Sequence, residues 1–143
     1  MRFIFLVSVL FNAAMLSAQE YRFGLYRVEQ GLPSDVIKTV CQDTLGFLWI
    51  ATDDGLVKYD GEKFTVFSTE VGLQNEEIWG LTIDKKGLIW VGSSGGVSHF
   101  DGKKFTPFLL PETMVENPKP MLSDKLVFKI KKKKNGTMWF VTD

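Results

Sequence analysis

Trp49 and Trp90 stand 41 residues apart, and the residues around each recur in register. The first copy reads Asp43-Thr-Leu-Gly46-Phe-Leu-Trp49-Ile-Ala-Thr52-Asp-Asp-Gly55, then Tyr59-Asp60-Gly61-Glu-Lys-Phe64-Thr-Val-Phe67. The second reads Asp84-Lys-Lys-Gly87-Leu-Ile-Trp90-Val-Gly-Ser93-Ser-Gly-Gly96, then Phe100-Asp101-Gly102-Lys-Lys-Phe105-Thr-Pro-Phe108. A third copy starts at Asn135-Gly136-Thr-Met-Trp139-Phe-Val-Thr142, offset from the second by 49 residues. Eight extra residues therefore enter between copies two and three, and Pro111, Pro118 and Pro120 place them in a loop at 109–120. The upstream half repeats as well. Gly31-Leu32 and Gly72-Leu73 each precede an apolar run, and Leu122 takes the place of Leu32 in copy three. A fixed period of this length means that one supersecondary unit is stacked on copies of itself.

The periodicity inside the unit decides its type. Ile37 to Cys41, Phe47 to Ala51, Leu56 to Tyr59 and Phe64 to Phe67 are short runs rich in β-branched and aromatic residues. Between them stand Asp- and Gly-bearing turns, which supply the positive-φ residue that tight hairpins need. Each unit is thus predicted to be four antiparallel strands. The run Phe47-Leu-Trp-Ile-Ala51 is apolar at every position, as expected of a strand covered on both faces. Four-stranded units of about 40–45 residues that need neighbours on both faces are β-propeller blades. The expected fold is all-β: an open, incomplete array of about two and a half blades. Gly46, Trp49, Gly55, Asp60, Gly61, Gly87, Trp90, Gly96, Asp101, Gly102, Gly136 and Trp139 form its structural repeat.

The start of the chain is of another kind. Met1-Arg2, a nearly unbroken apolar run from Phe3 to Leu16 and the small residues Ser17-Ala18 have the anatomy of a signal peptide over 1–18. The run is too short for the ~20 residues that span a bilayer. Export is therefore expected, with no membrane contact once the signal is cleaved. Next, Phe23-Gly-Leu-Tyr26-Arg-Val-Glu-Gln-Gly31-Leu32 matches Phe64 to Leu73 without a gap. Residues 19–34 are read as an orphan outer strand of the ring-closing type and its linker. Blade 1 follows at 35–75, blade 2 at 76–123 with its inserted loop, and the first half of blade 3 at 124–143. An array of this size cannot close on itself, so the expectation is a fragment of a longer ring.

Few residues offer chemistry. Lys plus Arg equals Asp plus Glu at 17 each, so no net field draws the chain to nucleic acid, and the basic run Lys131 to Lys134 reads as solvated. His99 is the only histidine and Cys41 the only cysteine, which excludes a transition-metal site of standard composition and any internal disulfide. His99 aligns with Lys58 beside the core-facing Phe100 and is expected to point outward. Cys41 is expected to pack as a small buried hydrophobe. Asp53-Asp54 falls in a Gly-closed turn, and Ser94-Gly95 replaces it in copy two, so the pair is read as a turn rather than as two glycosidase carboxylates. No catalytic residue, metal or cofactor is predicted. Trp49, Trp90 and Trp139 recur at one position and are expected to pack between blades. Trp79 differs, because its equivalents are Lys38 and Phe128. Variation within an otherwise regular repeat marks Lys38, Trp79 and Phe128 as candidate ligand-facing residues, early in the first strand of each blade.

Gly-Leu, Ile37 and Val40, Asp43-x-x-Gly46-x-x-Trp49-Ile-x-Thr52-x-x-Gly55-Leu56 and Tyr59-Asp60-Gly61 together resemble the two-component regulator propeller repeat. The resemblance runs from Tyr21 to Asp143. Lys133 departs from it where the motif has Asp, and Met121 where it has Gly. It implies the periplasmic sensor region of a hybrid two-component histidine kinase. There, paired propellers, a β-sandwich, a membrane helix and the kinase follow one another, and many members sense oligosaccharides. The implied partners are an oligosaccharide or other small extracellular ligand, the remaining blades and a second copy of the parent protein. Two other readings stay open on sequence grounds: a secreted propeller enzyme of lyase type, and a structural interaction scaffold.

Overall fold

The computed structural model describes residues 23–108 and 126–142. The signal-peptide segment, the inserted loop at 109–120, Met121 and Leu122 lie outside the described residues. Among the described residues ten strands are arranged in three sheets. The first has the order β1(Ile37–Gln42), β2(Leu48–Thr52), β3(Gly55–Tyr59), β4(Phe64–Phe67), each antiparallel to the next. The second repeats that order with β5(Ile78–Ile83), β6(Ile89–Ser93), β7(Gly96–Phe100) and β8(Phe105–Pro107). The third is the hairpin of β9(Val127–Lys132) and β10(Met138–Thr142). The protein is all-β, an open array of four-stranded antiparallel sheets, as the repeat requires.

Turn chemistry explains why each run of residues ends where it does. Asp43 Oδ1 accepts the amides of Leu45 and Phe47 at 2.9 and 3.0 Å, and its Oδ2 accepts the Trp49 indole N–H at 2.9 Å. Asp84 repeats all three bonds, to Lys86, Leu88 and Trp90. One carboxylate thus closes the β1–β2 turn and fixes the rotamer of the tryptophan two residues into the next strand. In copy three Lys133 holds the aspartate's place, Asn135 takes over the turn amide of Thr137, and the Lys133 ammonium lies 4.2 Å from the Trp139 ring centroid. Gly46 and Gly87 complete these turns at φ +92° and +84°.

Partial burial works to raise the pKa of Asp84, but the Trp90 indole and the Leu88 and Lys86 amides outweigh it and hold the carboxyl below its ordinary value of 3.8. A carboxyl depressed on folding contributes stability that is fully present above its unfolded pKa and is lost as pH falls through the folded one. The Asp84→Asn variant is accordingly expected to show a shallower loss of its urea midpoint than the parent below about pH 4. Equal acid slopes in the two proteins would refute this. The amides of Lys63 and Glu62 depress Asp60 in the same way, and those of Lys104 and Lys103 depress Asp101.

The sheets stack face to face through equivalent residues. Trp49, Ala51, Leu56 and Phe67 of the first sheet meet Ile78, Leu81, Ile89, Val91, Phe100 and Phe105 of the second. Trp90, Val97 and Phe108 of the second meet Val127, Ile130, Met138 and Phe140 of the third. Alternate residues of β6 therefore point to opposite neighbours, which is why Ile89 to Gly92 are apolar at every position before Ser93. Ile78 is 0% exposed between sheets, whereas its equivalent Ile37, with no sheet before it, is 41% exposed. At the other end Trp139 is 54% exposed against 3% for Trp49.

Three expectations need restating. His99 does not point outward: it is half-buried, directly opposite Trp90 on the strand ladder, its ring centroid 5.4 Å away. Alternation does turn it away from Phe100, but in a stacked blade both faces are interfaces. Cys41 is only half-buried. It packs on the first interface, and desolvation, with Asp43 beside it, pushes its thiol up to about 11. The lysine run is not wholly solvated, since Lys132 Nζ donates to the Ile83 carbonyl at 2.6 Å and Lys133 covers Trp139. Phe23 to Arg27, in the segment read as an orphan strand, joins none of the three sheets. Tyr26 instead rests on Tyr59 and Phe64, 5.4 and 5.6 Å between centroids. The 3-10 turns at Val28–Gln30 and Thr69–Val71, each closed by a left-handed glycine, nevertheless sit 41 residues apart.

Candidate functional site

The first strand of each sheet carries a β-bulge. Pairing passes from Ile37↔Thr52 to Thr39↔Ala51, from Ile78↔Ser93 to Gly80↔Gly92, and from Val127↔Thr142 to Lys129↔Val141. The residue left over in each case is Lys38, Trp79 or Phe128. Bulges re-aim a side chain away from the regular pleat and are frequent beside functional sites. This accounts for the departure from the repeat: a bulged position is excused from pairing in the ladder, so its identity is less constrained than its neighbours'.

The structure brings these three residues together across the blades. The Lys38 ammonium lies 4.2 Å from the Trp79 ring centroid, and Trp79 meets Phe128 edge-on at 6.1 Å. Lys38 and Trp79 are half-exposed and Phe128 is open to solvent. Consecutive first strands thus present an ammonium and two aromatic rings in one line. The other twelve residues assigned to the structural repeat lie in turns and at the interfaces already described, with Trp139 the one large apolar side chain among them left open.

Sequence reasoning did not find the polar groups around Trp79. The Trp79 indole N–H donates to Ser94 Oγ at 3.3 Å, and Ser94 Oγ donates to a Glu77 carboxylate oxygen. The backbone supports this group: Ser94 N–H donates to the Glu77 carbonyl at 3.3 Å, and Asn75 Oδ1 accepts the Glu77 amide at 2.8 Å. Gly55 N–H of blade 1 donates to the Glu76 carbonyl at 2.7 Å, which ties the β2–β3 hairpin to the segment entering β5. Asp53, in that hairpin, has a buried Oδ1 with no hydrogen-bond partner among the described residues. The available signal was the offset itself, for Asp53 aligns with Ser94 and Val36 with Glu77, pairs that change along with Lys38 and Trp79. The result is an aromatic platform edged by a carboxylate and a hydroxyl, chemistry suited to polar molecules that carry a flat apolar face. Among the described residues no group of three or more His, Cys, Asp or Glu could hold a metal ion.

Comparison with known proteins bears on what such an array is. Residues 31–54 and 72–95 match the model of the family described as two component regulator propeller. The extracellular domain of the hybrid two component system BT3049 from B. thetaiotaomicron superposes with a TM-score of 0.64 at 25% identity, over 80% of this chain and 16% of that one. The extracellular domain of the hybrid system BT4673 from the same organism gives 0.61 at 23% identity, over 91% of this chain and 17% of that one, and this likeness speaks to fold. No curated protein matches the sequence. The chain spans about a sixth of the length of these two extracellular domains. No helix among the described residues is long and apolar enough to cross a membrane. The two matched stretches, 41 residues apart, fall on the first two strands of the first and second sheets, so over those residues the chain is similar to two component regulator propeller repeats, and its fold is similar to that of the extracellular domains of hybrid two component systems.

Proposed function

We propose that this chain contributes the first blades of a periplasmic sensor propeller that recognises a carbohydrate fragment and signals to a histidine kinase outside the chain. The single observation that supports the ligand class is the line of Lys38, Trp79 and Phe128 on bulged first strands, edged by Ser94 and Glu77. Sugar rings offer an apolar C–H face to aromatic side chains and hydroxyls to carboxylates, and both kinds of group are present. Export, and pairing of two copies in the parent protein, belong to the same proposal. On this reading the blades transmit a change of shape and perform no chemistry.

Calorimetric titration of the protein with cello-, galacto-, xylo- and malto-oligosaccharides tests the reading. One of these is expected to bind, and Trp79→Ala is expected to weaken that binding by about tenfold or more, the loss of one stacking platform plus its edge contacts. Binding unaffected by Trp79→Ala would place the ligand elsewhere. Turnover of a sugar without measurable binding heat would favour the lyase reading instead.

A further inference from the structure

Positions 38 and 53 of blade 1 are the equivalents of 79 and 94 of blade 2. In blade 2 these two side chains touch, Trp79 Nε1 to Ser94 Oγ at 3.3 Å. In blade 1 the same pair of positions holds opposite charges, Lys38 and Asp53. The repeat geometry therefore puts the ammonium within reach of the carboxylate. Yet they do not pair. Lys38 Nζ lies over the Trp79 ring of the neighbouring blade at 4.2 Å, while Asp53 Oδ1 stays buried without a partner. Asp53 as a residue is only half-buried, and its unpartnered Oδ1, within reach of the lysine by the repeat, leaves the ammonium a second place to go.

We propose that Lys38 is a displaceable cover on the ligand-stacking face of Trp79, and that Asp53 is the carboxylate that receives it when a ligand takes that face. This inference rests on the carbohydrate reading of the site and assigns two of its residues a switching role. A cation over an indole and a partly exposed ion pair are of similar strength. Moving the ammonium from one to the other therefore consumes little of the ligand's binding energy. The ring face stays covered while the site is empty, and the move is a discrete change between two places in blade 1 that accompanies binding at blade 2. The cover favours an uncharged stacking ligand, since a ligand cation would compete for Asp53 with Lys38 itself.

Nuclear magnetic resonance of the full chain tests this with and without ligand. In the free protein the Lys38 ε-protons are expected to be shifted upfield by the Trp79 ring current. In Trp79→Leu that shift is expected to vanish and a contact from the Lys38 ε-protons to the Asp53 β-protons to appear. An unshifted Lys38 in the parent, or no approach to Asp53 in the variant, overturns the proposal. Lys38→Met serves if Trp79→Leu does not fold: relaxation of the Trp79 ring protons by a soluble gadolinium chelate is expected to rise, and unchanged relaxation counts against a cover. In the second arm the four oligosaccharide series are titrated. A sugar that moves the Trp79 indole resonance is expected to abolish the Lys38 upfield shift and to bind Asp53→Asn about twofold to fivefold more weakly. If such a sugar leaves Lys38 in place, the cover is refuted and the carbohydrate reading stands. If none of the sugars moves Trp79, the carbohydrate reading falls, and the ligand-free arm alone decides whether Lys38 has two places.

Discussion

Replacing Trp49 by alanine is expected to destabilise the array by about 3–5 kcal/mol, whereas the same change at Trp139 should cost about 1 kcal/mol or less. The two residues hold one position of the repeat. Trp49 is buried between sheets, stacked on Phe67 at 5.7 Å and tilted against Phe100 at 5.6 Å, with its indole N–H bonded to Asp43. Alanine there removes the largest side chain of the first interface and leaves a cavity that two β-sheets, each held by its own ladders, cannot collapse to fill. Trp139 faces solvent and its main contact is the Lys133 ammonium. Small domains have only about 5–15 kcal/mol of net stability, so Trp49→Ala removes a large share. Urea unfolding followed by far-ultraviolet circular dichroism measures both variants. Trp49→Phe, which keeps a ring and loses the bond to Asp43, should fall between them. Equal losses at positions 49 and 139 would mean that interface burial is not what holds the blades together.

The second large effect concerns a residue with no side chain. A Cβ built on Gly92 would stand 2.9 Å from both the carbonyl oxygen and the Cγ1 of Val127, contacts that real structures do not tolerate. Gly80 is nearly as tight, 3.1 Å from the Ile130 backbone nitrogen. These glycines let β9 lie against blade 2 more closely than blade 2 lies against blade 1, where the equivalents are Thr39 and Ala51. Gly92→Ala should therefore push the third sheet away and destabilise it by about 1–3 kcal/mol. The opposite change at the equivalent position, Ala51→Gly, removes one buried methyl and loosens a strand, at about 1 kcal/mol. Hydrogen exchange resolves the two. Gly92→Ala is expected to lower protection in β9 and β10 while sparing β1 to β4, and uniform loss across all three sheets would contradict this account.

The contrast between these positions shows what a repeat does and does not convey. Strand boundaries were legible because each apolar run is closed by a residue with a local reason to stop it. Asp43 and Asp84 cap their own turns, and Gly46 and Gly87 adopt the positive φ those turns need. Such bonds span two to six residues, so the chain encodes them without reference to anything distant. The candidate site was half legible. Lys38, Trp79 and Phe128 stood out because they break the pattern, and the bulges at those positions supply the structural reason. Asp53 was read as a turn residue, which it is, but the burial of its Oδ1 without a partner, and the placing of Lys38 over a ring of the next blade, come from packing between blades that the sequence does not spell out.

By itself the sequence determined the unit: its strands, its turns, its order and the apolar character of both faces, all consequences of local hydrogen bonding and two-residue alternation. The tertiary structure decided the rest. Which tryptophan is buried, which way His99 faces, how closely two sheets approach at Gly92, and that three dissimilar residues form one line all depend on the neighbour against which each sheet packs. Equivalent residues in a repeat are given the same covalent neighbours but not the same surroundings, and burial, contact and charge pairing are properties of surroundings.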